Sequence, residues 1–165
     1  MNNDKINELI VSPKRIINKP KRAFRQKNQH FENDFTSKSL DSGVEFLVRM
    51  RKHTQLIENF SIMLEYYSPE LQKDIKLIRF NGPHYGMHYN KVINSEYWNN
   101  KSHIHKATQE AIELGIRAEN FAEITEKYEI FEDALLLFWK KINIIDDIET
   151  FFPNIRQKTL FNIIK

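Results

Sequence analysis

From Asp41 onward, apolar and polar positions alternate with period two. Val44, Phe46, Val48 and Met50 alternate with Glu45, Leu47, Arg49 and Arg51, which gives an extended segment one apolar face. A second run places Phe60, Ile62, Leu64 and Tyr66 on one side and closes at Ser68-Pro69. A third spans 75–80 and ends at the turn signal Asn81-Gly82-Pro83. Connections this short join antiparallel neighbours, because a parallel crossover needs about a dozen residues or more. The three runs predict a meander.

Residues 84–101 are polar and aromatic, hold Gly86, Asn90, Asn94, Asn99 and Asn100, and predict a long connection of the functional or disordered kind. A fourth, short strand is expected over 102–106. The pattern then turns helical. Residues 107–114 lack breakers, Gly115 is a natural stop, and 118–128 is a second helical candidate. Phe131, Ala134, Leu135, Phe138 and Ile142 recur at the spacing of one helix face. Pro153 suits the first turn of a last short helix ending in Leu160, Phe161 and Ile164. The predicted fold class is α+β: a small antiparallel sheet of about four strands, C-terminal helices packed on one face, and a basic N-terminal segment.

The length of 165 residues fits one domain with an appendage, and 41% hydrophobic residues suffice for a core. We read 1–40 as a basic arm, partly helical or disordered, and 41–165 as a single α+β domain. The absence of cysteine excludes disulfide scaffolds, cysteine-ligated zinc fingers and cysteine nucleophiles. The net charge of +3 divides unevenly: residues 1–40 carry +5 and residues 41–165 carry −2. No acid occurs between Leu9 and Phe31, where Lys14, Arg15, Lys19, Lys21, Arg22, Arg25 and Lys27 are interrupted by Pro13 and Pro20. Such a block is either an electrostatic arm for nucleic acid or an acidic partner, or a solubilising leader. Within the rest of the chain, the stretch 41–106 is +2 and 107–165 is −4. Neither a signal-peptide pattern nor an apolar run of membrane-spanning length is present, so the expectation is a soluble, cytoplasmic protein with no membrane partner.

Four of the six histidines lie within 22 residues, as His84-x3-His88 and His103-Ile-His105, the first pair following Arg79-Phe80-Asn81-Gly82-Pro83. In a strand, His103 and His105 leave the same face, with Ile104 and Lys106 on the other. Antiparallel pairing would bring both pairs to one end of the sheet. Three readings follow. Two imidazoles beside Arg79 and Lys106 would serve as general base and general acid in phosphodiester cleavage, the cations stabilising the phosphorane charge. Three or four neutral imidazoles would bind a divalent metal. Alternatively the histidines are structural members of an Asn/His/Tyr-rich loop. The spacing His103-x-His105-x4-Glu110 imitates part of a cupin motif, but four glycines and the helical pattern after Lys106 speak against a cupin.

The stretch Leu77-Ile78-Arg79-Phe80-Asn81-Gly82-Pro83-His84, followed by His103-Ile104-His105-Lys106, resembles a segment of TumE-like toxins, in which an Arg-aromatic-polar-Asn strand end leads to histidines and a His-x-His strand follows. The wider pattern is similar to uncharacterised small bacterial proteins. The resemblance covers about 30 residues. It implies a toxin of a toxin–antitoxin pair, of the RelE/ParE type with a small antiparallel sheet and flanking helices, and it would make Arg79, Asn81, His84, His103, His105 and Lys106 the matching positions. The chain departs from that pattern in its length, in the helices after Glu110 and in its basic N-terminal segment.

The expected catalytic residues are therefore His84, His103, His105 and Arg79. Substrate would be held by Asn81, Lys106, His88, Tyr85, Arg22 and Arg25, with no cofactor and no metal. Tyr85, Tyr89, Tyr97 and Trp98 would stack on unpaired bases or anchor the loop to the sheet. Glu119, Glu123 and Glu126 fall on one face of the 118–128 helical candidate, most simply a solvated one. Phosphate loops, nucleophile elbows and dinucleotide fingerprints are absent, which removes ATPase, kinase and α/β-hydrolase readings. The sequence thus favours a toxin-like protein of a toxin–antitoxin or phage-defence module, a metal-independent ribonuclease with RNA and a cognate antitoxin as partners. The alternatives are a non-enzymatic, mobile-element or phage-encoded inhibitor of a nucleic-acid-handling partner, and a histidine-ligated metal protein.

Overall fold

The computed structural model describes residues 1–84, 87–90, 95–98 and 100–156, with backbone only for 87–90 and 95–98. The expected side chains of Tyr85, His88, Tyr89, Tyr97 and Trp98 lie outside that description, as do Leu160, Phe161 and Ile164 of the last helix. The chain runs α1 (Asn3–Val11), β1 (Lys14–Asn18), β2 (Arg25–Lys27), β3 (His30–Ser39), β4 (Glu45–His53), β5 (Phe60–Ser68), β6 (Lys73–Asn81), β7 (Met87–Asn90), β8 (Ser95–Trp98), β9 (His103–Lys106), α2 (Gln109–Glu113), β10 (Phe121–Ile124) and α3 (Phe131–Lys141). A 3-10 turn, Ile148–Thr150, follows.

Eight strands form one antiparallel open sheet in the order β1-β3-β4-β5-β6-β9-β10, with β2 also pairing β3. β7 and β8 pair with each other as a separate hairpin. The α+β class is as expected and β4, β5 and β6 are the predicted meander. The expectation of about four strands was too small for two reasons. Residues 14–39, read as a helical or disordered basic arm, contribute β1, β2 and β3. The segment 118–128, read as helical, contains β10, which pairs Phe121 with Lys106 and Ala122 with His105.

Polar inward positions hid the N-terminal strands. Along β3 the residues facing the core are Asn33, Phe35, Ser37 and Ser39, of which only Phe35 carries a large apolar side chain. Asn33 and Ser39 are accommodated by local bonds, Ser39 Oγ accepting from the Ser42 N–H at 3.3 Å, whereas Ser37 Oγ is buried with no partner among the described residues. Asn33 accepts from the Lys21 N–H and donates to the Lys21 carbonyl, at 3.0 and 2.8 Å, closing the β1–β2 connection against the sheet. α1 belongs to the same core: Asn2 caps it by accepting from the Lys5 N–H, and Ile6, Leu9 and Ile10 are buried.

α3 lies across the face defined by Phe35, Val48, Met50, Ile62 and Phe80. Phe138 meets Phe80 edge-on at 5.3 Å, Trp139 meets Phe35 at 5.5 Å, and Phe131 meets Phe60 at 5.7 Å. We call this the inner face. A bulge between Leu64 and Glu65 lets Leu77 and Ile78 of β6 both reach apolar surroundings. Lys140 and Lys141 in the last turn of α3 complement its C-terminal carbonyls. Among the described residues no helix is long and apolar enough to cross a membrane.

Candidate functional site on the outer sheet face

Register decides what the other face carries. In β6 and β9, Arg79 is the partner of His105 and Asn81 of His103, while Phe80 and Ile104 alternate to the inner face. The same register continues across the sheet. One outer row reads Arg25, Glu32, Arg51, Ser61, Asn81, His103, and the next reads Asp34, Arg49, Met63, Arg79, His105. Four of the expected site residues, Arg79, Asn81, His103 and His105, therefore form a block of cross-strand neighbours.

His84 joins them from the end of β6. Its ring lies 5.0 Å from His103, which in turn lies 5.2 Å from His105. The approach depends on Gly82, whose N–H donates to the Phe60 carbonyl at 3.0 Å. A Cβ there would stand 1.9 Å from the Glu58 carbonyl oxygen, so any side chain would push the Pro83-His84 segment off its course.

The buried polar atoms define the tautomers. His103 and His105 are 0% and 3% exposed. His103 Nδ1 lies 2.8 Å from the Lys101 carbonyl and His105 Nδ1 lies 2.9 Å from the Glu119 carbonyl. A carbonyl only accepts, so both rings carry their proton on Nδ1, which assigns Nε2 as the basic nitrogen of each neutral ring. His103 Nε2 then accepts from Asn81 Nδ2 at 3.2 Å, and this fixes the Asn81 amide with its Oδ1 as a buried acceptor that has no partner among the described residues. Ser61 Oγ, across the strand from Asn81, is likewise unpartnered among them. From the inner side Tyr128, stacked on Phe80 at 5.3 Å, donates its hydroxyl to the carbonyls of Asn81 and His103 at 3.1 and 2.9 Å. Burial pushes the Tyr128 hydroxyl well above its ordinary range and keeps it a donor.

Charged groups frame the block. Glu119, 4% exposed, pairs with Arg117 at 2.7 Å. Burial alone would raise its carboxyl, but the Arg117 hydrogen bond, its own backbone N–H and the charges of Arg117 and Arg79 hold it below the usual carboxylate value. Arg49 pairs with Glu65 at 3.0 Å, and between these two pairs lies a depression of about 440 Å³ bordered also by Lys73 and Lys76. At the far end of the face His30 and His53 meet at 5.2 Å, and Arg51 donates to His30 Nδ1 at 2.9 Å. Partial burial, then the charges of Arg51 and His53, hold the His30 imidazole below its ordinary value against the opposing pull of Glu32.

Three expected substrate contacts lie elsewhere. Lys106 is the partner of Ile78 and Phe121 on the inner face, opposite the histidines. Arg22 is exposed in the β1–β2 connection, and Arg25 sits on β2, four strand spacings or about 19 Å from β6. Sequence reasoning missed Ser61, Arg49, Glu65, Arg117 and Tyr128. It also placed Glu119 on a solvated helix face, whereas the residue is buried beside β10. Its only signal was the Arg117-x-Glu119 spacing before Phe121. Among the described residues no group of three or more His, Cys, Asp or Glu side chains is placed to hold a metal ion. No protein family, curated protein or solved structure matches the chain.

Proposed function

We propose that the chain is a toxin-like protein of a toxin–antitoxin or phage-defence module that cleaves RNA without a metal at the outer sheet face. The observation that supports this reading is the packing of His84, His103 and His105 in ring contact beside Arg79, with Nε2 fixed as the basic nitrogen of the two buried rings. One imidazole of the cluster takes the proton of a ribose 2′-hydroxyl as its oxygen bonds to phosphorus. His84, the most accessible of the three, returns a proton to the departing 5′-oxygen, leaving a cyclic phosphate. Arg79 neutralises the charge that builds on the phosphorus oxygens. The short resemblance to TumE-like toxins points the same way.

The test is cleavage of single-stranded RNA by the full chain in the presence of EDTA, compared with His84→Ala and Arg79→Gln at matched melting temperature. A loss of about a hundredfold or more in each variant is expected. Full activity in His84→Ala would remove the catalytic assignment.

A second reading, the non-enzymatic inhibitor, is favoured by one observation: His103 and His105 are buried and bonded as scaffold groups are. It predicts binding to a nucleic-acid-handling protein with no RNA cleavage, and unchanged binding in His84→Ala.

A further inference from the structure

On the inner face, α3 lies over β3 to β6 and leaves the last two strands uncovered on its far side. The result is a cleft of about 740 Å³, within the size range of small-molecule sites. Its floor is the inner side of β6, β9 and β10, where Ile78, Phe80, Ile104 and Phe121 lie side by side. Tyr128 and Leu137 form one wall and the start of α1 and the 107–108 segment another. The Tyr128 hydroxyl is committed to two carbonyls, so that wall offers the cleft a ring and no donor.

Charge is placed at specific points of this apolar surface. Lys106, half-buried between Ile78 and Phe121, is the cationic group on the floor, and Lys127 and Lys141 stand exposed at the mouth. Glu110 and Glu123 share the mouth but are exposed. None of these five groups enters an ion pair among the described residues. A half-buried ammonium at an apolar floor lacks the compensation that a carboxylate would give it. Concavity favours a small molecule over a flat protein partner.

We infer that this cleft binds a small amphiphilic anion: an aliphatic or aromatic body on Ile104 and Phe121, with one carboxylate on Lys106 and assistance from Lys141. The site lies on the opposite face from the histidines and is independent of what they do.

Octanoate and octanol, equal in chain length and both soluble, separate the two contributions. In amide-resolved NMR titrations of the full chain, octanoate should produce saturable shifts at Ile104, Phe121 and Leu137, and octanol should bind about tenfold more weakly. Lys106→Met combined with Lys141→Met should weaken octanoate about tenfold and leave octanol unchanged. Should Lys106→Met lower the melting temperature, Lys127→Met with Lys141→Met provides the same comparison from the mouth alone. Absence of saturable shifts, equal affinity for acid and alcohol, unchanged binding in the variants, or a response only to phosphatidylglycerol vesicles would each overturn the inference.

Discussion

The ammonium of Lys14 lies 3.0 Å from the carbonyl of Ile142, the residue that closes α3. The same Nζ donates to the carbonyls of Ile10 and Ser12 at 2.9 and 2.8 Å, and it stands 4.7 Å over the Phe46 ring. One fully buried lysine thus ties the C-terminal ends of α1 and α3, both of which present negative partial charge, to the first strand.

Lys14→Met should destabilise the protein by about 2–4 kcal/mol at pH 7, because three buried carbonyls lose their donor. The pH dependence is distinctive. Burial pushes the Lys14 ammonium down to about 8 from 10.5, so between these values the unfolded chain binds more protons than the folded one. Stability from this group therefore rises with pH across the window from about 8 to 10.5, and the penalty of the buried charge is fully present below it. The wild type minus Lys14→Met difference, read by urea denaturation, should grow by about 3 kcal/mol over that range. A flat difference would mean that the folded-state ammonium titrates where the unfolded one does, so that burial does not lower it.

Asn81 serves as the donor that His103 Nε2 requires. Replacement with leucine removes the amide that donates to that buried nitrogen and should cost about 1–2 kcal/mol. Asn81→Asp sets an acceptor against an acceptor and should cost at least as much, or force a second proton onto the ring. Nitrogen-15 NMR of the wild-type imidazole should show the Nδ1–H tautomer at neutral pH. An Nε2–H signature would reverse the assigned donor and acceptor and with it the orientation of the Asn81 amide.

The meander, the fourth strand at 103–106 and the α3 stripe were legible because their inward positions are apolar at the period each element demands. The face on which His103 and His105 lie was legible for the same reason: parity in a strand needs no knowledge of tertiary structure. β1 and β3 were not legible, because the residue that anchors β1 is a lysine and β3 turns two serines and an asparagine toward the core. No periodicity measure credits Lys14 as a core residue, since its burial relies on three carbonyls, two at the end of α1 and one 128 residues away at the end of α3. β10 escaped because four residues at a sheet edge, bounded by the polar Asn120 and Thr125, give no stripe to distinguish strand from helix. That error alone moved Glu119 from the edge of the histidine block to an imagined solvated face.

Gly82→Ala tests whether the turn after β6 delivers His84. The added Cβ would meet the Glu58 carbonyl oxygen at 1.9 Å and the Phe60 ring at 2.6 Å, a backbone collision that no rotamer relieves. We expect a loss of about 3 kcal/mol in thermal or urea unfolding. NMR shifts of His84 and His103 should move together, since their rings are in contact. A variant as stable as wild type would show that the β4–β5 connection yields freely at Glu58.

Arg117 and Glu119 give the candidate site its acid sensitivity. The Glu119 carboxylate is almost wholly buried, whereas the Arg117 side chain is 59% exposed, so the pair is screened on one side only. Removing the guanidinium in Arg117→Ala leaves burial to dominate, and the Glu119 carboxyl should then titrate above its ordinary value rather than below it. The variant should lose about 1–3 kcal/mol at pH 7, where a buried carboxylate has lost its main cationic partner. In the wild type the folded value is depressed, so the stabilisation is present above the unfolded carboxylate value and disappears as pH falls through the folded one. In the variant, acidification neutralises the carboxyl and removes the penalty. The gap between the two proteins should therefore narrow steadily from pH 7 toward pH 4 in denaturant titrations. Because the Glu119 carbonyl holds the His105 Nδ1 proton, the same variant should alter the His105 NMR signals at pH 7 and recover them in acid. A gap that stays constant over this range would show that Arg117 acts by packing alone and that the Glu119 charge plays no part in holding His105.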